Sequence, residues 1–145
     1  MKLSTRTRYG MRALLELALA HNAGPLQIKV IAERQNISNK YLEQLVAMLK
    51  TAGLVRSIRG PHGGYVLAKQ PDEIKLLDVF KTLEGSTLTV ECVEDEKICN
   101  NQSDCITRKL WTEINQAIID VLESKTLGDL VKMSEISGGK MSYQI

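Results

Sequence analysis

Cys92, Cys99 and Cys105 fall within fourteen residues. The spacing C-x6-C-x5-C puts three soft donors on one short stretch, and thiolates select iron-sulfur clusters, zinc or copper(I) over hard cations. Without a C-x2-C knuckle, this spacing suits a cluster wrapped by a long irregular loop better than a tight tetrahedral zinc site. An odd number of cysteines excludes a complete disulfide framework; the alternative is one structural thiol beside an opportunistic disulfide. Glu91, Glu94, Asp95, Glu96 and Asp104 surround the thiols, whereas both histidines, His21 and His62, lie in the other half of the chain. A fourth donor must then be an acid, serine or asparagine, an exogenous molecule, or a residue of a partner subunit.

A second group of residues points to nucleic acid. Residues 1–70 carry eleven Lys and Arg against three acids, a net charge of +8, and residues 71–145 carry eight bases against fourteen acids, a net charge of −6. A basic half of this kind faces a polyanion. Within it, Ser38, Asn39, Lys40, Tyr41, Glu43 and Gln44 occupy the start of a helix in a helix-turn-helix pattern, where side chains meet base edges. Lys40 and Tyr41 reach phosphates or bases, Asn39 and Gln44 carry the donor-acceptor pair that suits adenine, and Glu43 accepts from cytosine N4. A carboxylate among phosphates is costly without a donor, so Glu43 reads as a selectivity element that penalises sites lacking cytosine. The alternative is a merely solvated helix face. A glycine-rich tip, Gly60-Pro61-His62-Gly63-Gly64, follows Arg56 and Arg59. It is narrow enough for a minor groove, with Arg59 as the groove contact and His62 as a phosphate or pH-responsive contact.

The periodicity predicts the elements that hold these residues. Ser4 or Thr5 caps a first helix reaching about residue 21, and Asn22-Ala23-Gly24-Pro25 breaks it. A two-turn helix over 28–34 leads to Ser38, the cap of the recognition helix at about 38–52, whose Leu42, Leu45, Val46 and Leu49 form one stripe. Residues 54–59 and 65–68 form a hairpin wing, about 54–68 in all. A helix over 76–84 closes at Gly85, and the cysteine loop spans 86–106. Leu110, Trp111, Ile114, Ile118, Val121 and Leu122 then lie on a long helix too apolar for one stripe, which reads as a dimer interface, with an intramolecular core helix as the alternative. A short last helix begins at Thr126, and residues 134–145 read as a mobile tail. The fold class is therefore mainly α with a small β-hairpin wing: a winged helix-turn-helix domain (1–85), a cysteine segment (86–106) and a dimerisation region (107–133).

These features exclude several functions. No stretch approaches a membrane span and the N-terminus lacks a signal-peptide core, so a cytoplasmic protein without a membrane partner is expected. An aromatic content of 4% argues against a base-stacking platform. No nucleophile-base pair or phosphate-cradling loop appears in the C-terminal half, so an enzyme is not expected. The expected partners are a second copy of the chain and double-stranded DNA with a two-fold site.

The segments MKLSTRTRYGMRALLELA, ISNKYLEQLVAMLKTAGLV and SIRGPHGGYVLAK, the three-cysteine loop, Leu110-Trp111 and TLGDLV together resemble the IscR-like iron-sulfur regulators of the Rrf2 superfamily, bacterial winged-helix proteins that include the nitric-oxide sensor NsrR. The resemblance covers about residues 1–133. It implies a bacterial homodimer with crossing C-terminal helices and a cluster held by Cys92, Cys99 and Cys105. A [2Fe-2S] cluster is the preferred cofactor and [4Fe-4S] the alternative, with cluster-assembly proteins as donors and transcriptional control of cluster-assembly or stress genes as the output. Two positions depart from it. Arg108 stands where IscR-like proteins carry a histidine, and Arg8 where NsrR-like proteins carry an acidic ligand; a guanidinium binds no iron. The cluster would then have a labile or non-protein fourth ligand. A winged-helix repressor controlled by a partner protein or by thiol oxidation, with no cluster, is the competing expectation.

Overall fold

The computed structural model describes residues 2–86, 93, 95, 97 and 104–138. Six helices and one hairpin make up the regular structure of these residues. Ser4 caps α1 (Thr5–Leu19): its side-chain oxygen accepts the Thr7 amide at 3.1 Å, satisfying an amide that a helix start leaves without a partner. α2 (Ile28–Gln35) stops at Asn36, whose φ of 53° is left-handed, a conformation that asparagine tolerates and most residues do not. That turn sets the angle to α3 (Asn39–Thr51), capped by Ser38, and completes the helix-turn-helix.

β1 (Val55–Ile58) and β2 (Gly64–Leu67) pair antiparallel, Val55 opposite Leu67 and Ile58 opposite Gly64. The outer strand β2 is fastened near the turn end of the hairpin to the segment before α2 by two backbone bonds, Leu26 N to Tyr65 O at 3.0 Å and Tyr65 N to Leu26 O at 2.8 Å. A 3₁₀ turn, Pro71–Glu73, which the periodicity did not reveal, leads to α4 (Leu76–Glu84).

α5 (Ile106–Ser124) and α6 (Leu127–Ile136) complete the described fold. The chain departs along α5 and comes back: Leu127 is fully buried in the same core as Leu14, Ile31, Leu42, Leu45, Leu49, Ile74 and Leu83. Backbone bonds from Leu127 N to Ile74 O (2.8 Å) and from Leu76 N to Lys125 O (3.0 Å) pin this return. Truncating any of these core side chains to alanine costs roughly 2–5 kcal/mol. The boundaries differ from the sequence reading by one residue at several strand and helix ends and by two or more at two places. α1 ends at Leu19, where Ala20 caps it, rather than near residue 21. α6 runs past residue 134 to Ile136, because nothing from 134 to 136 breaks a helix; Gly138 at φ 79° follows its end. Residues 139–145 lie outside the described part.

Candidate nucleic-acid interface and cysteine segment

The first turn of α3 is the centre of the candidate interface. Ser38 spends its hydroxyl on the helix, accepting the Tyr41 amide at 3.1 Å. α3 buries Leu42, Leu45, Val46 and Leu49 and leaves Ser38, Asn39, Lys40, Glu43 and Gln44 exposed. The amphipathic stripe thus turns every polar candidate outward except Tyr41, which is half-buried. Its ring meets Tyr9 edge to face, centroids 6.1 Å apart, and its hydroxyl lies 3.4 Å from Thr5 Oγ1. Tyr41 is therefore braced by α1, and the bracing residues Thr5 and Tyr9 were missed in the sequence reading. Their i, i+4 spacing puts both on one face of α1 but does not tell that this face meets α3. Glu43 forms no ion pair with any described residue, so its carboxylate stands uncompensated on a basic surface.

The wing projects beside this helix. Arg56 on β1, Arg59 just past it and His62 at the tip are all exposed. Gly63 cannot be exchanged freely, because a Cβ there would overlap the Ile58 carbonyl oxygen, and its amide closes the tip on Gly60 O at 3.0 Å. Lys50 Nζ donates to Ser57 Oγ at 3.1 Å, joining the end of the recognition helix to the wing. The two reading elements are thus fixed to each other at one end and remain open at the other.

Of the three cysteines, Cys92 and Cys99 lie outside the described residues. Cys105 is the residue from which α5 starts. Its Sγ lies 3.2 Å from Thr107 Oγ1, and that hydroxyl, the backbone amides of Arg108 and Thr107 and the Arg108 charge hold the thiol below its usual range. Among the described residues no three ligating side chains converge. Cys105 itself presents what a soft metal or a cluster demands of a ligand: a partly exposed thiol biased toward thiolate.

The residues expected at a dimer interface divide into three groups. Leu110 and Val121 are about half exposed, at 48% and 55%, and Ile106, which was not in the expected set, is exposed as well. Trp111, Ile114 and Ile118 are half-buried along the same helix. Leu122 packs against the core of its own chain. Asn115, buried on this helix, has a side-chain oxygen with no hydrogen-bond partner among the described residues.

A recognition helix with an outward polar first turn and a wing of arginines locked beside it defines a winged helix-turn-helix transcription regulator. The sequence pattern of the Rrf2 family, described as an iron-dependent transcriptional regulator, matches residues 3–133, and the chain belongs to that family. It is 46% identical over 135 residues to the transcriptional regulator CymR of Bacillus subtilis, covering 93% of each chain. The solved structure of CymR, described as the global cysteine regulator of B. subtilis, superposes with a TM-score of 0.79 at 44% identity, covering 92% of this chain and 98% of that one. The structure of T. potens IscR superposes with a TM-score of 0.78 at 39% identity, covering 99% of this chain and 94% of that one. The relatives are named as regulators and not as enzymes. No described helix is long and apolar enough to cross a membrane.

Proposed function

We propose that this chain is a homodimeric transcription regulator whose affinity or sequence choice for a two-fold DNA site is set by an iron-sulfur cluster on Cys92, Cys99 and Cys105. The observation that carries this reading is the union of a complete winged helix-turn-helix with a three-thiol segment, one of whose thiols, Cys105, is poised at the start of α5. Glu43 and Gln44 would select base edges, Arg59 would enter the minor groove, and the exposed leucine and valine of α5 would pair across the two-fold axis.

The cysteines would hold the cluster, [2Fe-2S] in preference to [4Fe-4S], and cluster-assembly proteins would supply it. When bound, the group supplies several units of charge and a redox-sensitive bond network. The chain's own part is to anchor one end of the cysteine segment at α4 and the other at α5, so that ordering the segment bears on both helices. A coupling of this kind amounts to about 1–3 kcal/mol. Arg108, close to Cys105, donates no electron pair to iron, which leaves the fourth position to a labile or non-protein ligand.

The likeness to CymR favours a second reading, in which thiol chemistry or a partner protein controls DNA binding and no cluster forms. Anaerobic purification with iron and acid-labile sulfide counted per chain, before and after changing each cysteine to alanine, separates the two. Matching iron and sulfide lost in all three variants supports the cluster. A colourless chain that binds DNA with full affinity supports the second reading.

A further inference from the structure

Arg8 and Arg12 stand at the ring of Tyr9, their guanidinium carbons 5.9 and 5.3 Å from its centroid. Tyr9 in turn meets Tyr41 on the first turn of the recognition helix. Beneath this group lies a buried carboxylate. Glu16, 5% exposed, accepts from Gln35 Nε2 at 2.5 Å and from Arg34 Nη1 at 3.2 Å. Gln35 accepts from Arg12 through both its side chain, at 2.8 Å from Nε, and its carbonyl, at 3.3 Å from Nη2. One buried acid therefore orients two arginines, Arg34 directly and Arg12 through Gln35, while Arg8 stays exposed beside them.

Holding α1 to α2 would need only one of these cations. Only Arg34 pairs with the carboxylate directly, Arg12 reaches it through Gln35 and Arg8 lies at the Tyr9 ring, so one acid set among three guanidinium groups leaves an excess of positive charge, with Arg8 and Arg12 held at the aromatic ring and Arg12 also at the buried amide. A guanidinium held in this way is preorganised for the tetrahedral oxygens of a phosphate. The position fits as well. The major groove is about 12 Å wide, so groups within one ring contact of an inserted helix turn border its phosphate rail.

We infer that Arg8 and Arg12, with Arg34 beside them, form a second DNA seat that takes a backbone phosphate flanking the groove read by α3. The inference rests on the DNA-binding reading above and extends it to residues outside the recognition helix and wing. Such a contact is blind to sequence and releases counterions.

The test measures binding of a labelled mixed-sequence duplex of about 30 base pairs across a salt series, for the wild-type chain and for Arg8→Gln, Arg12→Gln and Arg12→Lys. Each lost phosphate contact lowers the slope of log K against log salt by about 0.9, so the advantage of wild type over Arg8→Gln shrinks about 3.5-fold between 50 and 200 mM salt. Arg12→Gln behaves alike, and Arg12→Lys keeps the slope while losing affinity. Arg8→Gln carries the test if losing the bonds to Gln35 unfolds Arg12→Gln. A slope unchanged in Arg8→Gln, with or without weaker binding, overturns the seat and leaves the recognition helix and wing intact. A wild-type chain that binds no duplex overturns the DNA-binding reading and the seat with it.

Discussion

Changing Glu84 to Gln tests how the start of α1 is held. One oxygen of the Glu84 carboxylate accepts from the Ser4 amide at 3.3 Å, from the Ser4 hydroxyl at 2.8 Å and from the Thr7 hydroxyl. Arg6 Nε adds a bond to the Leu83 carbonyl at 2.6 Å, and Gly10 lets α1 approach Leu83 so closely that a Cβ would overlap the leucine methyls. Hydrogen bonds to a charged acceptor contribute roughly 1.5–3 kcal/mol each and neutral ones 0.5–1.5. Here three donors share one partly exposed oxygen, and a glutamine keeps a neutral acceptor, so the net loss at pH 7 is about 1–2 kcal/mol after screening. In a chain of this size that lowers Tm by about 2–8 °C.

The pH dependence makes the prediction sharper. The Thr7 hydroxyl, then the Ser4 hydroxyl and amide and the Arg6 charge, hold the Glu84 carboxyl below its ordinary value of 4.5 against a smaller opposing effect of burial. A carboxyl depressed by folding stabilises the fold above its unfolded pKa, and that contribution is lost as pH falls through the folded pKa. The gap between wild type and Glu84→Gln should therefore be full at pH 5–7 and close progressively below about pH 4.5. Urea unfolding followed by circular dichroism, at one protomer concentration and at stepwise lower pH, measures it. A gap near zero at pH 7, or one that persists undiminished into the acid range, would refute the anchoring of the α1 start by an ionised Glu84.

Three further outcomes are expected. Glu43→Ala should bind more sites with similar affinity, losing about 1–3 kcal/mol of discrimination in a competition assay against sites that lack cytosine, with little change on the preferred site; undiminished discrimination would remove Glu43 from the readout. Gly63→Ala should distort the wing tip, since its Cβ would meet the Ile58 carbonyl oxygen, and weaken DNA binding about tenfold with little change in the heat stability of the helical core. In a Cys92→Ala/Cys99→Ala background free of metal, Cys105 should alkylate with a midpoint below that of a free thiol, near 8.5. Thr107→Ala should raise that midpoint toward the free value, because its hydroxyl is the largest cause of the shift.

What the sequence disclosed follows a physical division. Elements set by local rules were readable: the stripe of Leu42, Leu45, Val46 and Leu49 repeats every helical turn, Ser38 and Thr126 are side-chain caps, and the glycines around His62 mark the hairpin tip. What escaped depends on which elements the tertiary fold brings together. The 3₁₀ turn at Pro71–Glu73 is too short to show a period. Thr5 and Tyr9 carry no signal of a recognition site until α1 lies across the first turn of α3 and its tyrosine meets Tyr41. Glu16 looks like any polar residue in an apolar helix, yet the fold buries it against Gln35 and Arg34, which are 19 and 18 residues away in sequence. A buried charge of that kind survives only where partners converge on it. The role of Glu16 under the basic face is therefore set by tertiary contacts, which no local pattern in the sequence discloses.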